Sequence, residues 1–322
     1  MAADIGWPEG GLNLPPPLAL KKQKIEQAAV QCLQDSGYSP IELPTLEYVS
    51  AEDSADSDDR CKFVAPDGKL LGLRYDHTTS LIRFIATHEN MRLPSRLFYS
   101  GVVFRRKKNS GEYTETAQIG AEILGVEGVE ADIEIVRLLA KTLKAAGVAD
   151  FLIDIGTVEI FKGVVAGAKI DPATLSSIRE AILRKDNAAL KKTLDASGLP
   201  EAKKNVLGAL PGWFGGKEAL DSAARAVEND RSRKALDQLR RVYDDLSSPE
   251  SKGGLGDRVT LDMGVVQSLD YYTGAVFEAY VRRVGQPIAS GGRYDRLADR
   301  YGKSIPATGF ALNIGLLLDI VP

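Results

Sequence analysis

Hydrophobic and polar positions along the chain switch between two periods, and each switch marks an element. In residues 19–36, Leu20, Ile25, Ala28, Ala29, Cys32 and Leu33 recur at helical spacing with Lys21, Lys22, Lys24, Glu26 and Gln27 between them. That spacing predicts an amphipathic helix, closed by Gly37. Residues 38–44 read as a strand carrying Pro40 and Pro44, and the missing proline donor places it at an edge or boundary. Residues 63–76 predict a hairpin turning on Pro66-Asp67-Gly68. A helix over 78–89 follows, with Leu81, Ile82, Phe84 and Ile85 inward. Strands are predicted over 96–106 and 115–125, joined by a polar loop, then a helix over 131–146 and a strand over 151–156.

From residue 172 to 249 the texture becomes helical and rich in Ala, Leu, Lys, Glu and Asp, with breaks at Gly198-Leu199-Pro200 and Pro211-Gly212-Trp213. Strands resume over 259–263, 271–282 and 288–289, and an apolar helix is expected over 309–320. Strands joined by hairpins, with helices around them, predict an α+β fold with a mostly antiparallel sheet. The expected organisation is a core over 1–171 and 255–322, interrupted by a helical insertion and linker over 172–254.

Composition narrows the function classes. With 41 Lys+Arg against 44 Asp+Glu, a net charge of −3 argues against holding nucleic acid through a basic surface. No apolar run approaches the roughly 20 residues of a membrane span. The first residues carry Asp4, Glu9 and Pro15-Pro16-Pro17 and do not resemble a signal peptide. Cys32, Cys61, His77 and His88 are too scattered for a zinc site or a disulfide framework. A cytoplasmic protein with no metal, no cofactor and no membrane contact is expected. The Asp- and Ser-rich residues 51–60 read as a solvated loop.

Five polar strings interrupt segments that should be apolar: Leu73-Arg74-Tyr75-Asp76-His77-Thr78, Phe104-Arg105, Gln118-Ile119-Gly120-Ala121-Glu122, Leu269-Asp270-Tyr271-Tyr272-Thr273-Gly274 and Ser290-Gly291-Gly292-Arg293-Tyr294-Asp295. Buried polar groups cost free energy unless paired, so such strings mark internal networks or a ligand pocket. Gln118 and Glu122 are separated by an even number of residues, so a strand points both to one face.

This ordered set, followed by Gly309-Phe310-Ala311, resembles the catalytic core of the histidyl-tRNA synthetases, a class II aminoacyl-tRNA synthetase-like fold. The helix–Gly37–strand–Pro44 segment resembles that class's first motif, which implies a homodimer through it. By the resemblance the pocket binds L-histidine. Asp76 and Thr78 stand where the family holds the α-ammonium, with Gln118 beside it. Arg105 stands near the ligand carboxylate. Glu122 and Tyr272 match the groups that grip the imidazole nitrogens, with Tyr271 alongside. Each pairing is chemically sound: carboxylate for ammonium, guanidinium for carboxylate, and an acceptor plus a phenol for two unlike ring nitrogens. Asp76 replaces a family Glu, one methylene shorter. His77 stands at a family glycine and reads as a pocket-lining or packing residue.

Four departures follow the other way. Gln267 and Leu316 stand where the family carries arginines, Glu112 falls where an arginine meets phosphate, and Thr116 replaces the aromatic that stacks on adenine. Each charged hydrogen bond contributes about 1.5–3 kcal/mol, so these losses imply a chain with no catalytic residues for ATP activation. The sequence also ends shortly after the third motif, without an anticodon-binding segment, so no tRNA partner is expected. Such a set resembles the regulatory subunits of ATP phosphoribosyltransferase. That implies a short-form catalytic subunit as partner and L-histidine as effector in histidine biosynthesis. The alternative is a minimal histidine-activating ligase without a tRNA-binding domain. A third reading is a sensor for some other protein.

Overall fold

The computed structural model describes residues 10–11, 13–49, 60–88, 91–106, 112–251, 253–266 and 271–322. Helix α1 (Pro16–Asp35) begins ahead of the predicted span because Pro16 and Pro17 occupy its first turn, where a missing N–H breaks no helical bond. It buries Ile25, Ala29, Cys32 and Leu33, whereas Leu20, expected inside, is 53% exposed. Short strands β1 (Ser39–Pro40), β2 (Leu46–Tyr48), β3 (Lys62–Val64) and β4 (Leu70–Leu73) follow. The β3–β4 turn is the predicted one: Gly68 takes φ +81°, and the Asp67 side chain accepts from the Lys69 N–H. Most of the Asp- and Ser-rich loop lies outside the described residues.

Next come α2 (His77–Thr87), β5 (Ser95–Arg106), β6 (Tyr113–Leu124), α3 (Val129–Ala145), β7 (Leu152–Thr157) and α4 (Val158–Val165), the last not foreseen from the sequence. The helical stretch comprises α5 (Pro172–Leu183), α6 (Asn187–Ala196), α7 (Glu201–Ala209), α8 (Lys217–Ala226) and α9 (Asp230–Ser247), with strand β8 (Phe214–Gly215) between α7 and α8. The chain closes with β9 (Val259–Asp262), β10 (Ala275–Tyr280), β11 (Ala289–Arg293), β12 (Ala307–Asn313) and α10 (Ile314–Leu317).

Among the described residues nine strands form one sheet in the order β1-β5-β6-β12-β11-β10-β7-β9-β8, and β2-β4-β3 form a second. In the large sheet only β1 with β5 and β7 with β9 run parallel; the rest of the ladder is antiparallel, as expected. β1, the proline-bearing strand, lies at the sheet's edge.

Alternation along the strands sorts side chains onto two faces. On one face Ile119, Ala121, Ile123, Ile153, Ile155, Phe277, Ala279, Phe310 and Leu312 join the apolar sides of α1, α3 and the helices between residues 172 and 247 in one core. On the other, Leu97, Leu124, Val276 and Ala307 pack with Leu81, Ile82 and Ile85 of α2. Most of the polar strings turn to this second face.

Two segments correct the sequence reading. Residues 309–320 are not one helix: β12 runs to Asn313, and α10 is a single turn. Gly309 sits in the ladder opposite both Gly292 and Glu122, where an added Cβ would come 1.4 Å from the Glu122 carboxylate. A run buried on both faces lacks the alternation that separates strand from helix. β11 likewise extends through Gly291-Gly292-Arg293 instead of stopping at Ala289.

Arg293 points to the helical face, where its Nε donates to both Asp132 oxygens at 3.0 Å. Its Nη1 reaches Asp295 at 3.0 Å, and Nη2 reaches the Gly128 carbonyl at 2.7 Å. This pins β11 to the start of α3. Removing one partner strands a buried charge, so Asp132→Ala should cost about 3 kcal/mol in urea unfolding. A loss below roughly 1 kcal/mol would show that Asp295 alone satisfies the guanidinium.

Candidate functional site

Thr78 and Asp76 come from the start of α2. Asp76 is its N-cap: Oδ1 accepts from the Thr78 N–H at 3.3 Å, while Oδ2 accepts from the Thr79 N–H at 3.1 Å and the Thr79 hydroxyl at 2.8 Å. That orients the Thr78 hydroxyl onto the Glu122 Oε1, 2.7 Å away. The second oxygen, Oε2, accepts from the Tyr294 hydroxyl at 2.5 Å. Glu122 is 1% exposed and lies over a floor without side chains. A Cβ on Gly309 would strike the Glu122 carboxylate, one on Gly292 would come 2.9 Å from the Tyr272 ring, and one on Gly120 would come 2.2 Å from the Tyr99 hydroxyl. Three neighbouring strands thus carry glycine where the side chains of Glu122, Tyr272 and Tyr99 lie flat on the sheet.

Aromatic rings wall this carboxyl. Tyr271 and Tyr272 are 4.8 Å apart between centroids, and Tyr271 meets Tyr294 edge-on at 5.8 Å. Lys162 of α4 donates to the Tyr272 carbonyl at 2.5 Å and fixes the backbone there. Burial raises the pKa of the Tyr271, Tyr272, Tyr294 and Tyr99 phenols, so all four are neutral donors at neutral pH. Burial pushes Glu122 up to about 8, with the hydrogen bonds from Tyr294 and Thr78 opposing it and the nearby Asp76 adding to it. At neutral pH the carboxyl is therefore largely protonated, its proton shared with the Thr78 or Tyr294 hydroxyl, and a cationic or donor ligand would draw it back to a carboxylate that accepts on both oxygens.

Gln118 lies on the same face of β6 as Glu122 and is half-buried, as its spacing predicted. Arg105 is exposed near the far end of β5, opposite Thr114, and its Nε donates to the Tyr75 carbonyl at 3.0 Å beside the start of α2. Asp76, Thr78, Glu122, Tyr271 and Tyr272 thus gather in one cluster, and Gln118 and Arg105 extend it along the same sheet face. Tyr294 lay inside a singled-out string without being named; its two-residue spacing from Gly292 already put it on the pocket face. Among the positions expected to have lost synthetase groups, Thr116 shares that face, Glu112 precedes β6, and Leu316 packs apolar against the main core. Gln267, with Leu269 and Asp270, lies outside the described residues.

A cavity of about 1070 Å³ opens beside this cluster on the helical side. Gly128, Lys162, Lys234, Gln238, Tyr271 and Arg293 are among its walls, and Tyr271 joins it to the cluster. The cleft mixes both charge signs, whereas the convergent groups of matched chemistry sit around Glu122. Among the described residues no group of three or more His, Cys, Asp or Glu is placed to hold a metal. No described helix is long and apolar enough to cross a membrane.

The sequence profile of the histidyl-tRNA synthetase family matches residues 12–317. A curated relative from Geobacter sulfurreducens, named ATP phosphoribosyltransferase regulatory subunit, is 38% identical over 97% of this chain and 72% of its own length. The chain belongs to that family. A second member, from Moorella thermoacetica and of the same name, is 35% identical over 97% of this chain and 80% of its own. Among solved structures, a Bacillus halodurans protein described as an ATP phosphoribosyltransferase regulatory subunit/histidyl-tRNA synthetase superposes with a TM-score of 0.86. It is 28% identical and covers 99% of this chain and 83% of its own. A Nostoc histidyl-tRNA synthetase, 19% identical with a TM-score of 0.79 over 98% of this chain and 74% of its own, shares the fold. The α+β, class II synthetase-like architecture is therefore that of the family.

The buried carboxyl gives a pH signature. Glu122 holds its proton more tightly folded, near 8, than at the ordinary glutamate value of 4.5. Folding therefore takes up a proton between those values, and stability falls as pH rises from about 4.5 through about 8. Melting temperatures from pH 5 to 8 should decline more steeply for the wild type than for Glu122→Gln, which cannot ionise. Parallel curves would mean that the carboxyl is already ionised in the folded chain.

Proposed function

We propose that this chain is the non-catalytic regulatory subunit of an ATP phosphoribosyltransferase, the enzyme of the first step of histidine biosynthesis, and that L-histidine is its effector. Kinship to proteins of that name over nearly the whole chain carries the reading. The Glu122 cluster supports the choice of effector. A protonatable carboxyl and neutral phenols within one small polar pocket suit an imidazole, whose two nitrogens need one donor and one acceptor. In this reading Glu122, Tyr272 and Tyr294 take the ring, with Tyr271 alongside. Thr78 and Gln118 take the ammonium end under the negative field of Asp76, and Arg105 takes the carboxylate. Because the Asp76 oxygens already cap α2, its contribution to the ammonium is electrostatic or through water rather than direct.

ATP activation is absent from this reading because phosphoryl chemistry relies on fixed cations. Leu316 is apolar and packed, Glu112 is an anion, and Thr116 offers no stacking ring. Histidine acts instead by shifting the complex toward a less active state, and substrate on the catalytic subunit weakens histidine binding by the same factor. The partner is the short-form catalytic subunit, in the cytoplasm, with no tRNA. Homodimerisation through the first motif is supported by exposed Leu18 and Leu20 on α1 and Leu46 and Tyr48 on β2. We take residues 172–254 as an insertion between the two parts of the core, 1–171 and 255–322.

In the reconstituted complex, Glu122→Ala and Tyr272→Phe should each raise the histidine concentration for half-inhibition roughly tenfold or more. Co-elution with the catalytic subunit should be unchanged. Inhibition that survives both substitutions would place the effector elsewhere. Histidine-dependent ATP–pyrophosphate exchange by the purified chain would favour the minimal ligase instead.

A further inference from the structure

His77 opens α2 and is 1% exposed. Its ring stacks on Tyr99 with centroids 4.2 Å apart and planes within 15°. Neither Nδ1 nor Nε2 meets a partner in hydrogen-bond geometry among the described residues, with the Gly101 backbone the nearest polar group acting on the ring. Buried polar atoms in native folds are nearly always paired, so two such nitrogens on one ring point to a ligand as the partner.

The sheet register places the ring. A Cβ built on Gly101 would come 3.0 Å from His77 Cε1, and Gly101 lies opposite Gln118. Tyr99, on which His77 stacks, lies opposite Gly120. The imidazole therefore lies over Tyr99 and Gly101 of β5, beside the Gln118–Gly120 stretch of β6 and on the sheet face that carries Glu122. The charged groups facing it are Arg74, Asp76 and Arg105. Burial and Arg74, with Arg105 adding and Asp76 opposing, bring its pKa down to about 4, so the ring is neutral with one N–H. Two guanidinium groups face the ring against the one Asp76 carboxylate, which leaves the local sign net positive. A donor in cationic surroundings is best matched by an anion.

We propose that His77 is a ligand-contacting residue whose N–H donates to the α-carboxylate of the bound amino acid, beside Arg105. This inference rests on the amino-acid reading of the Glu122 cluster. It assigns a specificity role, since the contact separates amino acids from ligands that share the imidazole and ammonium but lack the carboxylate.

The test is calorimetric titration of the full chain with L-histidine and with L-histidinol, which lacks the carboxylate. His77→Phe preserves a ring on Tyr99 and removes both nitrogens; His77→Gln restores a donor. The expected result is that His77→Phe weakens L-histidine about tenfold and L-histidinol less than about twofold, and that His77→Gln recovers most of the loss. An unchanged L-histidine affinity, or equal losses for both ligands, would overturn the proposal while leaving the cradle intact. If the wild type binds neither ligand, or Glu122→Gln weakens neither, the cradle reading itself fails and the role of His77 with it. Should His77→Phe melt early, His77→Leu is compared with His77→Gln in the same way.

Discussion

A carboxyl group almost cut off from water holds the site together. Glu122 lies across Gly309 of the neighbouring strand and accepts from Thr78 on one oxygen and Tyr294 on the other. Those two bonds join β6 to the start of α2 and to the end of β11. The surrounding glycines, phenols and helix start all follow from the need to seat one polar group on the sheet without steric clash or an unmet hydrogen bond. The same burial raises the pKa of the group, which turns a structural anchor into one that responds to a cationic or hydrogen-bonding ligand.

Much of this was legible in the sequence wherever periodicity was clean. The hairpin on Pro66-Asp67-Gly68, the helix presenting Leu81, Ile82 and Ile85, and the shared face of Gln118 and Glu122 needed only spacing and turn chemistry. β12 was misread because both its faces are buried, so it lacks the alternation that marks a half-buried strand. Asp76 reads in sequence as a ligand group, yet its side chain turns back to cap α2, a local choice that a carboxylate one methylene shorter than glutamate favours. The part of Tyr294 depends on β11 and β12 lying side by side with Gly292 opposite Gly309, a register no single segment reveals.

Kinship and geometry bear on different halves of the function. Relatives of one name over nearly the whole chain carry the regulatory-subunit reading, and the Glu122 cluster carries the proposal of an imidazole effector. In the proposed reading the synthetase-like fold keeps its amino-acid cradle, while Leu316 and Thr116 stand where the resemblance puts a cationic and an aromatic group for nucleotide handling. Regulation then requires no new pocket, only the coupling of an inherited one to a partner's conformation.

Thermal melting of the chain with L-histidine and with magnesium ATP, each added alone at saturating concentration, separates these possibilities most directly. Selective binding to the native cradle raises the melting temperature by several degrees with L-histidine and leaves it unmoved with nucleotide. Stabilisation by ATP without any by L-histidine would contradict the account.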